Sequence, residues 1–226
     1  MKTPALFCLL LICCGTIAVT ATAADAPARK RLALVIDDGP DPKQNAAMLE
    51  LLAREHVRVT FSYIGKNVVA HPELAKAGAA AGHEIINHSF THPHLKTLPD
   101  ATVEKEAADA QAAIKEATGK TPAWFWSPNL EHDERVDAAV RRATGLEHFP
   151  FNKYHFIGSL DWVASTPPEK YFALSTTGIV DGTVILMHEW PKVTLDNLQK
   201  VIQELKRQGV QFLTFSELAK SELATH

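Results

Sequence analysis

The sequence predicts an α/β fold, a distorted (β/α) barrel of about seven strand–helix units. Three observations predict it. Short aliphatic runs, such as Leu-Ala-Leu-Val-Ile at 32–36 and Thr-Val-Ile-Leu-Met at 183–187, are apolar on both faces, as strands buried in a parallel sheet are. Segments of helical period separate these runs. Polar residues gather just after the runs: Asp37 and Asp38, His88 and His92, Pro128 and Asn129, Asp161, and His188. In a βα barrel the strand C-termini open onto one face, so residues far apart in sequence would converge there.

Taken in order, the 32–36 strand ends at an Asp-Asp-Gly-Pro turn. Residues 43–55 have helical period, with Ala47, Leu51 and Leu52 on one side. A second strand covers 57–64 and stops at Gly65. Residues 72–81 read as a helix with Pro72 in its first turn, followed by Gly82. Residues 84–86 form a short third strand leading into His88. A longer helix spans 99–118, opened by Asp100 and closed near Gly119. The fourth strand is 123–126, and a helix over 133–144 ends at Gly145. Residues 147–160 admit one or two short strands before Asp161-Trp162. A helix over 167–177 begins at a proline, the 183–187 strand follows, and an amphipathic helix over 195–207 is closed by Gly209. The last strand is 210–215.

The N-terminus carries one early positive charge at Lys2, an apolar run from Ala5 to Val19, and Ala21-Thr22-Ala23 before Asp25. That pattern reads as a signal peptide over 1–23, followed by a linker over 24–30 and a catalytic domain over 31–226. The apolar run is shorter than the roughly 20 residues a membrane span needs. All three cysteines (Cys8, Cys13, Cys14) fall in the leader, so the exported chain has no thiolate ligand, no cysteine nucleophile and no disulfide. The expected location is periplasmic or extracellular. The formal charge of −3 and the absence of a basic patch argue against nucleic acid as a partner. No second run is long enough to span a membrane once the leader is removed, and a monomer is expected.

The chemistry centres on residues 82–95, where His88 and His92 stand four apart. On one turn of helix that spacing aims both imidazoles to the same side. Two neutral imidazoles hold a divalent metal when a charged ligand joins them, and the Asp37-Asp38 pair offers one. Taken singly, each motif has a plain structural explanation: Asp-Gly-Pro favours turns, and a histidine after an apolar strand can sit satisfied in the core. His83, His94 and Asn87 read as structural or supporting residues.

The ordered set resembles the polysaccharide deacetylase family, the NodB-homology domain of carbohydrate esterase family 4. The likeness covers about 32–218 and rests on Ile36-Asp37-Asp38-Gly39-Pro40, Val59-Thr60-Phe61 with Gly65, and Pro72-Glu73-Leu74 with Gly82-His83-Glu84. It continues through His88-Ser89-Phe90-Thr91-His92, Asp161-Trp162 and Leu186-Met187-His188. The resemblance implies Asp38, His88 and His92 as metal ligands, Asp37 as general base for a water, His188 as general acid and Asp161 as the group that orients it. Trp162 and Leu186 would wall a pocket for the acetyl methyl, with Pro128 and Trp126 also contacting substrate. The metal expected from two imidazoles and one carboxylate is zinc, with cobalt or nickel as substitutes. The implied activity is removal of N-acetyl groups from an acetylated glycan of chitin-oligomer or peptidoglycan type. O-deacetylation of a polysaccharide, a catalytically silent sugar-binding module and a non-haem iron oxygenase are the rivals.

One motif departs from the family. Where an Arg usually braces the catalytic base, the stretch Phe125-Trp126-Ser127-Pro128-Asn129 has Trp126, with Asn129 where Tyr is common. A different brace for Asp37 is therefore expected, with Asn129, Lys153 or His155 as candidates.

Overall fold

The structure, a computed structural model, describes residues 29–223. The leader expected over 1–23 lies outside the described residues. So does most of the linker, and the first strand begins at Lys30, one residue before the expected domain start.

That strand, β1 (Lys30–Gly39), is the axis of the fold. It pairs in parallel with β2 (Thr60–Tyr63), β7 (Thr183–His188) and β8 (Val210–Leu213). The other strands are β3 (Glu84–Asn87), β4 (Trp124–Phe125), β5 (Glu147–His148) and β6 (His155–Gly158), and the pairing path runs β5-β4-β3-β2-β1-β7-β6. Every pairing is parallel. The expected parallel α/β architecture is present, with eight strands among the described residues. The segment 147–160 resolves into β5 and β6, which are the two ends of the path.

Alternation along β1 divides the core in two, because successive side chains of a strand face opposite ways. Leu32, Leu34 and Ile36 point outward with Phe61, Tyr63, Ile185 and Met187, against the covering helices. Among those helices, α1 (Asn45–Arg54) contributes Met48, Leu51 and Leu52, and α7 (Lys192–Arg207) contributes Leu198, Val201, Ile202 and Leu205 at helical spacing. Ala33 and Val35 point inward with Ile86, Trp126, Phe149, Val184, Leu186 and Phe215. The small residues of β1 leave room there for aromatic rings: Phe149 and Phe215 stack at 3.8 Å between centroids. A third cluster packs α4 (Asp100–Thr118) and α5 (Glu134–Thr144) beside Phe125. The cap of α5 is as read, with the Asp133 carboxylate accepting from the Val136 N–H at 2.9 Å and Gly145 in the left-handed region at φ 73°.

The remaining helices are α2 (Gly65–Ala70), α3 (Pro72–Ala80), α6 (Pro168–Thr176) and α8 (Phe215–Leu223). Two of them were not expected. With six residues, α2 is too short for periodicity to reveal. The start of α8 was read as the end of the last strand, yet Thr214 and Glu217 form a capping box: the Thr214 N–H donates to Glu217 Oε2 at 2.9 Å and the Glu217 N–H to Thr214 Oγ1 at 3.4 Å.

The histidine segment corrects a further expectation. His88 and His92 do not share a turn of helix. Residues 88–92 form a loop in which Ser89 (φ 62°) and His92 (φ 64°) are left-handed. Side chains take the N–H groups that a helix would bond to its own carbonyls. Asn87 Oδ1 accepts from Ser89 at 2.9 Å, and Glu106 Oε2 accepts from Phe90 at 2.9 Å and Thr91 at 2.7 Å.

Candidate metal centre and surrounding cavity

The loops after the strands enclose a cavity of about 580 Å³ lined by Asp37, Asp38, His92, Asn129, Leu130, Phe156, Trp162, Leu186, His188 and Trp190. Backbone strain concentrates around it. Of the seven non-glycine residues with positive φ among the described residues, Asp38, His92, Asn129 and Leu130 line the cavity, and Ser89 and Leu160 adjoin it. Such conformations persist only where surrounding structure holds them.

Asp38, His88 and His92 come together on its floor, with one ligand atom from each within 4.8 Å of the others. Asp38 Oδ1 lies 3.4 Å from His88 Nε2 and 3.3 Å from His92 Nε2. Ligands about 2.1 Å from a tetrahedral ion stand roughly 3.4 Å apart, so the spacing fits. Asp38 Oδ1 is also buried without a hydrogen-bond partner, a costly state for a carboxylate oxygen that a cation relieves. The donor set, two imidazoles and a carboxylate, suits a divalent transition metal.

The support behind these groups is specific. His88 Nδ1 donates to the Trp126 carbonyl at 2.6 Å, which turns Nε2 toward Asp38. Glu106 on α4 holds the loop between the histidines by its bonds to Phe90 and Thr91. Burial pushes Asp38 upward, but the close imidazoles of His88, His188 and His92 outweigh it and hold the carboxyl well below the usual range.

Asp37 stands beside this cluster, 3.7 Å from His88 Nε2 through Oδ2. Its Oδ1 is buried and unpartnered, and its Oδ2 accepts from Trp126 Nε1 at 2.9 Å. Burial raises its pKa to about 6 against the opposing pull of His88 and His188. Across the cavity, His188 Nδ1 lies 2.9 Å from Asp161 Oδ1, and Asp161 Oδ2 accepts from the His188 backbone N–H and the Thr194 hydroxyl, both at 2.6 Å. Burial lowers the His188 pKa, yet the Asp161 hydrogen bond and the neighbouring carboxylates raise it overall.

Trp162 and Leu186 line the cavity, the Trp162 ring lying 5.2 Å from that of His188. Trp126 and Pro128 do not. Both are buried beneath it, so neither is available to touch a substrate. Trp126 is fully enclosed by His148, Phe149, Phe151, Phe156 and Phe215, because this side of the sheet offers an aromatic cage that matches its indole. Its one polar atom finds the nearest buried acceptor, Asp37. Asn129, Lys153 and His155 make no hydrogen bond to Asp37 among the described residues; the side chain that braces it is Trp126. His83 accepts from the Val59 N–H, Asn87 accepts from Ser89 in the loop and donates to the Ala107 carbonyl of α4, and His94 pairs with Glu131.

Sequence reasoning missed Glu106, Thr194 and Trp190. Glu106 and Thr194 lie on long helices with no local signal. Trp190, two residues after His188 and therefore on its side of the chain, had one.

The parallel α/β sheet, with a His₂Asp cluster that could hold a divalent metal and two acid–base candidates at its strand C-termini, defines an α/β protein with a candidate metal centre. Comparison with known proteins gives the family: a model described as polysaccharide deacetylase matches residues 24–148, and the chain belongs to that family. A peptidoglycan-N-acetylglucosamine deacetylase, PgdA, of Listeria monocytogenes is 30% identical over 201 residues, covering 88% of this chain and 41% of that protein. A chitin deacetylase of Amylomyces rouxii is 31% identical over 188 residues, covering 77% of this chain and 43% of that protein. The chain thus spans about two-fifths of the length of these relatives. Among solved structures, the family 4 carbohydrate esterase from Streptomyces lividans in complex with acetate matches at a TM-score of 0.72 and 29% identity, covering 80% of this chain and 90% of that one. No described helix is long and apolar enough to cross a membrane.

Proposed function

We propose that this chain is an exported, zinc-dependent hydrolase that removes N-acetyl groups from an amino-sugar polymer or oligomer of peptidoglycan or chitin type. The observation that carries this reading is one cavity in which the Asp38–His88–His92 cluster lies between a partly unpartnered carboxylate, Asp37, and a carboxylate-supported imidazole, His188. The names of the two curated relatives support an N-acetyl substrate. The Ala21-Thr22-Ala23 leader supports export.

Asp38, His88 and His92 would hold a divalent ion, which would supply a water with its pKa lowered toward 7 and a polarising charge for an acyl oxygen. The chain's own residues then divide the proton work. Asp37 Oδ1, free of partners, accepts the proton from the attacking water while Oδ2 stays held by Trp126. His188 Nε2 faces the cavity and delivers a proton to the departing nitrogen, and Asp161 fixes the other ring nitrogen. An amine leaves poorly without that proton, which favours an amide over an ester as the bond this site is built to break. Leu186 and Trp162 give the acetyl methyl an apolar wall.

The test is acetate release from chitin oligomers, peptidoglycan glycan and acetylated xylan, with and without a chelator, after reloading with zinc, cobalt or nickel. Release from the two amino-sugar substrates, abolished by the chelator and restored by zinc, is expected. Release from xylan alone assigns an O-acetyl esterase. No release by fully loaded protein assigns the silent binding module.

A further inference from the structure

We infer that Trp190 is a positioning residue for the metal site, acting through the outer oxygen of Asp38. This rests on the reading of Asp38, His88 and His92 as a divalent-metal centre. The two oxygens of Asp38 have different surroundings. Oδ1 turns toward His88 and His92 and has no hydrogen-bond partner. Oδ2 accepts from Trp190 Nε1 at 3.0 Å, and the nearest other polar side chain recorded beside it is His188, whose Nε2 is 4.0 Å away.

A carboxylate turns easily about its last torsion, which has broad, two-fold minima. Left to itself, Asp38 can present either oxygen, or both, to an ion. The indole N–H occupies Oδ2 and so reserves Oδ1 for the metal. Indole suits this task because it only donates and is neutral. It does not compete as a ligand and adds no charge to repel the cation.

Burial does not pin Trp190, which is 46% exposed. Hydrogen bonds on either side of it do. The Gln44 side-chain amide donates to the Trp190 carbonyl. The preceding residue, Glu189, is fully buried; its N–H donates to the Asp37 carbonyl at 2.9 Å, and its Oε1 accepts from Asn45 Nδ2 at 2.7 Å and the Asp41 N–H at 3.2 Å. The segment that carries Trp190 is therefore stitched to the loop that carries Asp38. Asp38 is tied from its other side by Asn67, whose amide donates to its carbonyl at 2.9 Å. Both partners of the indole–carboxylate contact are thus fixed through their backbones, as a contact needs if it is to orient a ligand.

The experiment compares wild type with Trp190→Phe, which keeps an aromatic ring and removes the N–H. Zinc affinity is measured by competition with a chromophoric chelator, the cobalt(II) form by visible absorption, and the metal-free protein by thermal unfolding. The expected result is zinc affinity roughly 10- to 100-fold weaker, the usual consequence of losing a partner behind a metal ligand. The cobalt(II) absorption should change as Asp38 gains freedom to bind through both oxygens, while the metal-free unfolding midpoint stays at the wild-type value. Wild-type zinc affinity or an unchanged cobalt spectrum in Trp190→Phe overturns this inference alone. So does an affinity loss matched by a lower midpoint, which assigns the effect to folding. A wild type that takes up no divalent ion overturns the metal-centre reading as well.

Discussion

The indole Nε1 of Trp126 donates to Oδ2 of Asp37 at 2.9 Å, and both side chains are almost wholly shut off from water. The same Trp126 gives its carbonyl to His88 Nδ1. One residue thus supports the base candidate with its side chain and a metal-ligand candidate with its backbone. A guanidinium at this place would be a charge buried among Phe149, Phe151, Phe156 and Phe215, whereas the indole belongs to that cage. Trp126 is thus a neutral brace, and Asp37 keeps a pKa raised by burial.

Trp126→Phe should keep the fold, since the aromatic packing survives, and should shift the acidic limb of the pH–rate profile upward. The lost N–H bonds the ionised carboxylate, so its loss favours the protonated form. A hydrogen bond to a charged group contributes about 1.5–3 kcal/mol, which corresponds to a shift of about one to two pH units. The check is kcat/KM against pH at constant metal loading. A limb that stays put or moves down separates Asp37 from the rate.

Asp37→Asn should lower the rate by roughly 10²- to 10⁴-fold, the usual worth of a positioned general base. Bound metal should stay near one ion per chain, because Asp37 is not among the clustered donors. His188→Ala should likewise lose rate and keep metal. Wild-type turnover by Asp37→Asn on an acetylated substrate rules out its role as base.

Asp38→Ala and His88→Ala should each abolish stoichiometric metal uptake, whereas Glu106→Gln should weaken it roughly 10- to 100-fold. Glu106 touches none of the donors; it acts by holding the Phe90 and Thr91 N–H groups and so the loop that spaces the histidines. Elemental analysis of the purified variants measures this, and full occupancy in Asp38→Ala excludes the site.

His83 makes acid stability predictable. Its buried ring accepts from the Val59 N–H through Nδ1, and burial, with the nearby Arg58 charge, lowers its pKa to about 4. The unfolded chain therefore binds a proton near pH 6.5 that the folded protein refuses until about pH 4. Stability from this group is intact above pH 6.5 and falls as pH drops through that window, by up to about 1.4 kcal/mol per pH unit. His148, also lowered to about 4 by burial, acts in the same sense. Urea unfolding of wild type and His83→Gln at pH 7 and pH 5 should show a smaller loss in the variant. Equal losses mean that His83 takes up its proton alike in the folded and unfolded states.

The amino-acid sequence by itself determined the parallel α/β class, nearly every strand, the longer helices and the residues that gather at the strand ends. These features are local: strand and helix periods, proline and glycine punctuation, and helix caps act over a few residues, so they survive in one dimension. The short α2 and the α8 start were lost at the limits of that locality. Tertiary structure alone decided how the candidate site is held. Trp126 and Asp37 lie 89 residues apart, and Trp190 and Asp38 lie 152 apart. Whether an indole N–H meets water or a carboxylate depends on which segments the fold brings together, and no neighbouring residue records it. The same holds for the His88–His92 loop. Its four-residue spacing was legible, but its shape was set by the Glu106 and Asn87 side chains, which take the N–H groups a helix would have used.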